Sequence, residues 1–330
     1  MPYELASAHK TWEGNAKASR RAFLKGTGSV FLAAAIGDQP AKSAPIQPAK
    51  EGVMRVHAIQ TGQVKVKMAQ IEGCGHGLAR QAGVLLDQRW SGWLPTYAWA
   101  IEHAEGVIVV DTGQAAHLKS LPVWHPYFQL SVQFKIEPEE EVGPQLRAFG
   151  IGKRDVRQVI LTHVHMDHDA GLAHFPNAKI LASAGEIERA SGLAGQLRGY
   201  LPERWPSWFA PSPIIFEKAA FGPFGRSRKL TKAGDVIALP TPGHTPDHLS
   251  VAVLNSDIIL FLAGDASYAE HQMMAGIVDG VSPQEDVALA TLARIRRLAK
   301  EAPLVYLPTH DPEAAQRLVS RKLVAFDKSI

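Results

Sequence analysis

From residue 53 onward, apolar residues fall largely at every second position, and glycine-bearing turns interrupt them. Val53 to Ile59 and Val64 to Ile71 follow this period, which is that of half-buried strands. Pro95 to Glu102 repeats it, Ala104-Glu105-Gly106 turns, and Val107 to Val110 runs back as the second arm of a hairpin. Glu139 to Phe149 reads as a helix that Gly143-Pro144 delays or breaks. Val159 to Leu161 is a short buried strand, Lys179 to Ala182 another, and Ala184 to Ala190 a short helix. Strands Val236 to Leu239, Leu249 to Leu254 and Ile258 to Leu262 follow. Helix Pro283 to Lys300, strand Leu304 to Leu307 and helix Pro312 to Phe326 close the chain. Strands with interspersed helices in two halves predict two sheets packed together, with helices outside. One stretch breaks the pattern. Leu193 to Arg228 carries Tyr200, Trp205, Trp208, Phe209, Phe216, Phe221 and Phe224 among five prolines. It reads as an ordered excursion that either covers a site or packs on the core.

Strand Val159 to Leu161 leads straight into Thr162-His163-Val164-His165-Met166-Asp167-His168. Residues that follow a strand sit on a loop held by a rigid scaffold, where catalytic groups are commonly placed. His163 and His165 are two apart and point the same way in an extended segment. Asp167 and His168 are adjacent and diverge. Two groups aiming one way and two another suit two neighbouring metal ions better than one. Three of the chain's 14 histidines in one hexamer is not expected of a chance surface loop. Three more junctions repeat the arrangement: Thr241-Pro242-Gly243-His244 with His248 behind it, Leu262-Ala263-Gly264-Asp265 with Tyr268, and Leu307-Pro308-Thr309-His310. One such histidine is unremarkable, but four junctions together make a nitrogen and oxygen metal site.

Composition narrows the setting. With 46% hydrophobic and 20% charged residues the chain is an ordinary globular one, long enough at 330 residues for one or two domains. It holds no run of eighteen apolar residues, so the body predicts no transmembrane span. The single Cys74 excludes an internal disulfide and a thiolate metal site. Residues 1 to 50 stand apart: Ser19-Arg20-Arg21-Ala22-Phe23-Leu24-Lys25 precedes a weakly apolar segment and a small-residue, proline-bearing tail. That layout resembles a twin-arginine signal. It predicts the twin-arginine export machinery as a partner and a periplasmic or exported destination. The first fifty residues hold seven of the 35 Lys/Arg and three of the 32 Asp/Glu, leaving 28 and 29 for residues 51 to 330. The body therefore lacks a basic excess, and nucleic acid is disfavoured as a partner.

HxHxDH, then GH, GD and TH in this order resemble the metallo-β-lactamase superfamily over residues 53 to 330. The resemblance implies an α/β fold, an αββα sandwich of two mixed sheets flanked by helices. It implies that His163, His165 and His244 bind one divalent metal, that Asp167, His168 and His310 bind a second, and that Asp265 bridges both. Zinc is the first expectation for the ions, and iron, cobalt or manganese suit the same donors. Asp111, in Asp-Thr-Gly, matches an early aspartate that orients a ligand histidine, and His248 has a similar place. Pro95 to Gly113 and the tyrosine three residues after Asp265 are similar to the N-acyl homoserine lactonases. Asp247 departs from the family's usual glycine, and the leader and the aromatic excursion are additions.

That resemblance implies hydrolysis of an ester or lactone by a hydroxide bridging the two metals. Tyr268 would stabilise the oxyanion and Asp167 would carry a proton to the leaving oxygen. The aromatic excursion would give an acyl chain its apolar surface. Two rivals remain: an organophosphate or aryl ester hydrolase on the same scaffold, and a mononuclear iron oxidoreductase of a thiol or persulfide.

Overall fold

In the computed structural model the structure describes residues 54 to 119 and 121 to 326. The twin-arginine segment, residues 1 to 50, lies outside the described residues. Twelve strands lie among the described residues: β1 Arg55–Val66, β2 Leu94–Glu102, β3 Val107–Val110, β4 Val132–Lys135, β5 Val156–Ile160, β6 Lys179–Ser183, β7 Ser212–Ile214, β8 Arg228–Lys229, β9 Val236–Pro240, β10 Leu249–Asn255, β11 Ile258–Gly264 and β12 Leu304–Pro308. They form a seven-stranded sheet in the order β4-β1-β2-β3-β5-β6-β7 and a five-stranded sheet in the order β12-β11-β10-β9-β8. Both are mixed: β3, β5, β6 and β7 run parallel, as do β11 and β12, while the other pairs are antiparallel.

Strand alternation explains the layers. Trp99 and Ile101 of β2 point between the sheets and meet Val236, Val251, Leu260 and Leu307 of the other sheet. Ala98 and Ala100, on the opposite face, pack outward with Val142 and Leu146 of helix Val142–Ala148 and Ile187 of helix Ala184–Ala190. On the far side, Ile237, Ala252 and Phe261 lie beneath Leu292, Ile295 and Leu298 of helix Glu285–Glu301. Each sheet buries both faces, giving the αββα order expected from the sequence. Among the described residues no helix is long and apolar enough to cross a membrane.

Several local expectations are corrected. Val53 to Ile59 and Val64 to Ile71 are not two strands. β1 is one strand of 12 residues that passes through Gly62 and shifts register between Gln60 and Gln63. It ends at Val66, and Met68–Ile71 is a helical turn whose Ala69 amide donates to Asp87 Oδ2 at 2.8 Å. Gly143-Pro144 delays the helix rather than breaking it: Pro144 lies in the first turn, where a missing N–H costs nothing. The last helix is Ala314–Ser320, stopped by Arg321 in the left-handed region, and does not reach Phe326. Strands β4, β7 and β8 are short edge strands without a readable period.

The two sheets bring strand ends to one edge. β3 and β5 are parallel with Val110 opposite Ile160, so Asp111 and Thr162 emerge side by side. β9, β11 and β12 end at Pro240, Gly264 and Pro308. Across this edge the Leu249 amide donates to Thr162 O at 3.0 Å and the Tyr97 amide to Thr309 O at 3.0 Å, tying one sheet to the other. Gly264 has φ +57°, and a β-carbon there would stand 2.7 Å from His248 Nε2. Only glycine turns the chain into Asp265 without displacing that histidine.

Candidate metal centre

Seven side chains converge at this edge. His163, His165 and His244 form one group of potential ligand atoms, His163, His168 and Asp265 a second, and Asp167, His168 and His310 a third. His165 Nδ1 lies 3.1 Å from His163 Nε2 and 3.0 Å from His244 Nε2. Asp265 stands in the middle: Oδ1 is 3.3 Å from His168 Nε2, and Oδ2 is 3.4 Å from both His244 Nε2 and His310 Nε2. His310 Nε2 is also 3.4 Å from Asp167 Oδ2. The sequence placed all seven in one site, and the fold brings all seven together.

The outer contacts fix which nitrogens face inward. His310 Nδ1 donates to Pro95 O at 2.9 Å, so its Nε2 faces the cluster. His168 Nδ1 meets Asp111 Oδ2 at 2.9 Å, and His244 Nδ1 meets Asp279 Oδ2 at 2.9 Å. His168 Nε2 and Asp265 Oδ1 are buried and make no hydrogen bond. Buried polar atoms are almost always paired, so these two are aimed at a partner of another kind. Imidazole nitrogens about 3 Å apart are close to the spacing of two ligands on one ion with bonds of about 2.0 Å, roughly 3.3 Å. The donor set therefore fits divalent metals.

Burial and charge divide the cluster. Burial, reinforced by the neighbouring imidazoles, pushes His163 and His165 well below the ordinary histidine range and keeps them neutral. At His168 burial acts the same way, but Asp265 and Asp111 outweigh it and hold the ring well above that range. At Asp265 burial would favour the neutral acid, yet His168 and His310 hold it well below the carboxylate range. An anion set among imidazoles is the charge pattern that a metal bridge requires.

Beside the cluster opens a cavity of about 420 Å³. Val64, Val66, Val84, Leu85, Val132 and Phe134 give it an apolar wall, and Asp167, Asp265, His244 and His310 line its polar end. Tyr268 lies between, 5% exposed, with its ring stacked on His310 at a centroid distance of 5.4 Å. Burial, with Tyr127 and Asp265 nearby, raises its phenol well above its usual range and keeps it protonated.

Comparison with known proteins gives the same answer from another direction. The pattern described as the metallo-beta-lactamase superfamily matches residues 91–310. This chain belongs to the metallo-beta-lactamase superfamily. The N-acyl homoserine lactonase AttM of Azorhizobium caulinodans is 25% identical over 274 residues, covering 79% of this chain and 94% of the relative. An N-acyl homoserine lactonase of Bacillus cereus is 28% identical over 226 residues, covering 67% of this chain and 82% of the relative. A solved N-acyl homoserine lactone hydrolase with N-hexanoyl-L-homoserine at its catalytic metal centre superimposes with a TM-score of 0.64 at 21% identity. That likeness covers 83% of this chain and all of that one.

Within this superfamily member, Asp111 stands where the resemblance implies, between Thr162 and His168. His248 does something different. Its Nε2 accepts the backbone N–H of Asp265 at 3.1 Å, so it fixes the main chain of the central carboxylate rather than a histidine. Burial and the nearby His244 lower it to about 3, which keeps that nitrogen an acceptor.

Sequence reasoning missed Asp279. Its Oδ2 holds His244, while Oδ1 accepts the amides of Val281 at 2.9 Å and Ser282 at 2.7 Å. Arg80 Nε reaches its carbonyl at 2.9 Å from a helix 199 positions earlier. Asp279 follows no strand and sits in no motif, so the sequence offers no signal for it. Asp279→Ala is expected to weaken metal binding about 10–100-fold, because outer partners of ligand histidines carry effects of that size. Metal titration of the purified variant checks this.

The aromatic excursion divides. Phe221 and Phe224 belong to the core beneath helix Glu285–Glu301, and Trp205 and Phe209 pack on the opposite outer layer. Only its start, Leu197 to Tyr200, lines the cavity. The expectation that the excursion supplies the acyl surface is corrected beyond Tyr200: Phe221 and Phe224 are buried elsewhere, most of the remaining residues are half-buried or exposed, and β1, β4 and helix Gly77–Leu86 supply the apolar wall.

Proposed function

We propose that this chain is a dinuclear metal-dependent hydrolase that opens lactone rings, N-acyl homoserine lactones foremost. The observation that carries this is a complete set of seven ligand side chains with a protonated phenol beside it at the head of an apolar cavity. The names of the lactonase relatives support the same reading. His163, His165 and His244 would hold one ion, Asp167, His168 and His310 the other, and Asp265 would serve both. Zinc is the ion we propose. Bound there, the ions supply Lewis acidity and lower the pKa of water.

The chain's own groups do the rest. The apolar wall receives the acyl chain and excludes water. Tyr268 donates its phenolic hydrogen to the carbonyl oxygen of the ring ester, where negative charge develops. Water adds to the ring carbonyl carbon and gives one proton to Asp167 and the other to solvent; as the ring C–O bond breaks, Asp167 hands its proton to the departing oxygen, leaving an alcohol and a carboxylate. The complete second group, Asp167, His168 and His310, weighs against a mononuclear iron oxidoreductase.

A panel of lactones, phosphotriesters and thiol persulfides, run on protein whose metal is counted in the same sample, tests the reading. Lactone turnover with about two ions per chain is the expected result. One iron per chain with no lactone turnover would sink it.

We also propose export in the folded, metal-loaded state by the twin-arginine route. Ligands drawn from four separated segments meet only after folding. Arg20→Lys with Arg21→Lys should then hold the protein in the cytoplasm. Arrival of that double variant in the periplasm refutes the assignment, and cell fractionation decides it.

A further inference from the structure

One wall of the cavity carries a polar row that the reaction as described does not use. Gln70 is 4% exposed, and its side-chain amide sits between two phenols. Nε2 donates to the Tyr268 oxygen at 2.8 Å. The Tyr127 hydroxyl lies at the other side of the amide, 2.9 Å from Nε2 and 3.1 Å from Oε1. Val64, Val66, Val84 and Val132 line the same cavity.

The main chain at Gln70 is held firmly. Its amide donates to Lys67 O at 2.9 Å, and its carbonyl accepts the Gly280 amide at 2.8 Å. Residue 280 must be glycine, because a β-carbon there would stand 2.0 Å from Ala69 O. Gly280 adjoins Asp279, so the loop that orients His244 also anchors the residue that contacts Tyr268.

A phenol hydroxyl rotates to suit its partners, and its oxygen both donates and accepts. A buried phenol beside a side-chain amide has two solutions. If the amide oxygen faces it, the phenolic hydrogen is consumed inside the protein. If the amide nitrogen faces it, the oxygen's acceptor site is filled and the hydrogen stays free. Here Nε2, which carries two hydrogens, lies within hydrogen-bonding distance of both phenol oxygens, and Tyr268 takes one of them.

We propose that Gln70 is the positioning residue of Tyr268: by donating into the phenol oxygen, it leaves the phenolic hydrogen as the donor that meets the lactone carbonyl. This rests on the reading of Tyr268 as that donor. Gln70 touches neither ion nor substrate carbonyl and acts through the phenol alone.

The test is a double-mutant cycle on the metal-loaded enzyme. Gln70→Leu, and Gln70→Met as a variant of similar length, are made in the parent and in Tyr268→Phe. Metal content and thermal unfolding are measured on each. In the parent background, either variant should lower kcat for lactones about 10-fold, within the range of one lost hydrogen-bonding donor, while KM and metal content hold. In Tyr268→Phe the same changes should cost nothing further, because the hydroxyl they act on is gone. Gln70→Glu at alkaline pH should do at least as badly as Gln70→Leu, since a carboxylate accepts the phenolic hydrogen. Equal losses in both backgrounds, or parental kcat in Gln70→Glu, overturn the proposal. If Tyr268→Phe alone keeps full lactone turnover, the lactonase reading fails with it. Loss in Tyr268→Phe without loss in the Gln70 variants removes Gln70 only.

Discussion

Asp265→Ala is expected to be the most damaging single change, lowering bound metal below two ions per chain and lactone turnover by several orders of magnitude. The carboxylate is 4% exposed and lies within 3.4 Å of inward-facing nitrogens from three histidines. On the dinuclear reading, its loss would remove the anion shared by both positions and leave two neighbouring cations with less negative charge between them. The fold itself should survive. Residue 265 keeps its backbone bond to His248, and its strand β11 lies between β10 and β12. Asp265→Asn separates shape from charge, since it preserves packing but not the second anionic oxygen. Metal counted by elemental analysis, beside turnover, reads the result. Two ions and near-parental turnover in Asp265→Ala would show that this residue is not the bridge.

Tyr268→Phe should reduce lactone turnover about 10–1000-fold, equivalent to roughly 1.4–4 kcal/mol of transition-state stabilisation. The lower end applies where an ion shares the developing charge. Metal content should stay at the parental level, because the hydroxyl lies among Gln70 and Tyr127 rather than in the ligand groups. The ring stacked on His310 is kept, so the His310 loop should not move. The loss should also be selective. A phosphotriester's oxygen can rest on the ions alone, so side activity on such substrates should persist. Undiminished turnover of Tyr268→Phe on every lactone tested would remove the chemical ground for the lactonase reading.

What the sequence determined by itself was whatever neighbouring residues encode. Short apolar runs bounded by turn residues specified β2, β3, β9, β10 and β11, because strands buried on both faces are apolar nearly throughout. The hexamer from His163 to His168 announced a metal site, because its ligands are neighbours along the chain. The order of four strand-to-loop junctions was enough to name the superfamily. Tertiary structure alone decided how those junctions meet. Parallel pairing of Val110 with Ile160 put Asp111 against His168, and the packing of two sheets carried Asp265 and His310 to the same edge. Asp279 and Gln70 were invisible for the same reason. Asp279 lies in a loop, Gln70 in a turn that follows the alternation of β1, and each acquires its role from a partner 35 or 198 positions away. Edge strands β4, β7 and β8 have no period of their own, since an edge is made by the strand beside it. The aromatic stretch after Leu193 shows the limit most plainly. Its composition demanded burial, but only the shape of the assembled core decided that Phe221 and Phe224 fill a layer while Tyr200 lines the cavity. Burial is written residue by residue, whereas proximity between distant segments depends on the register of the whole fold.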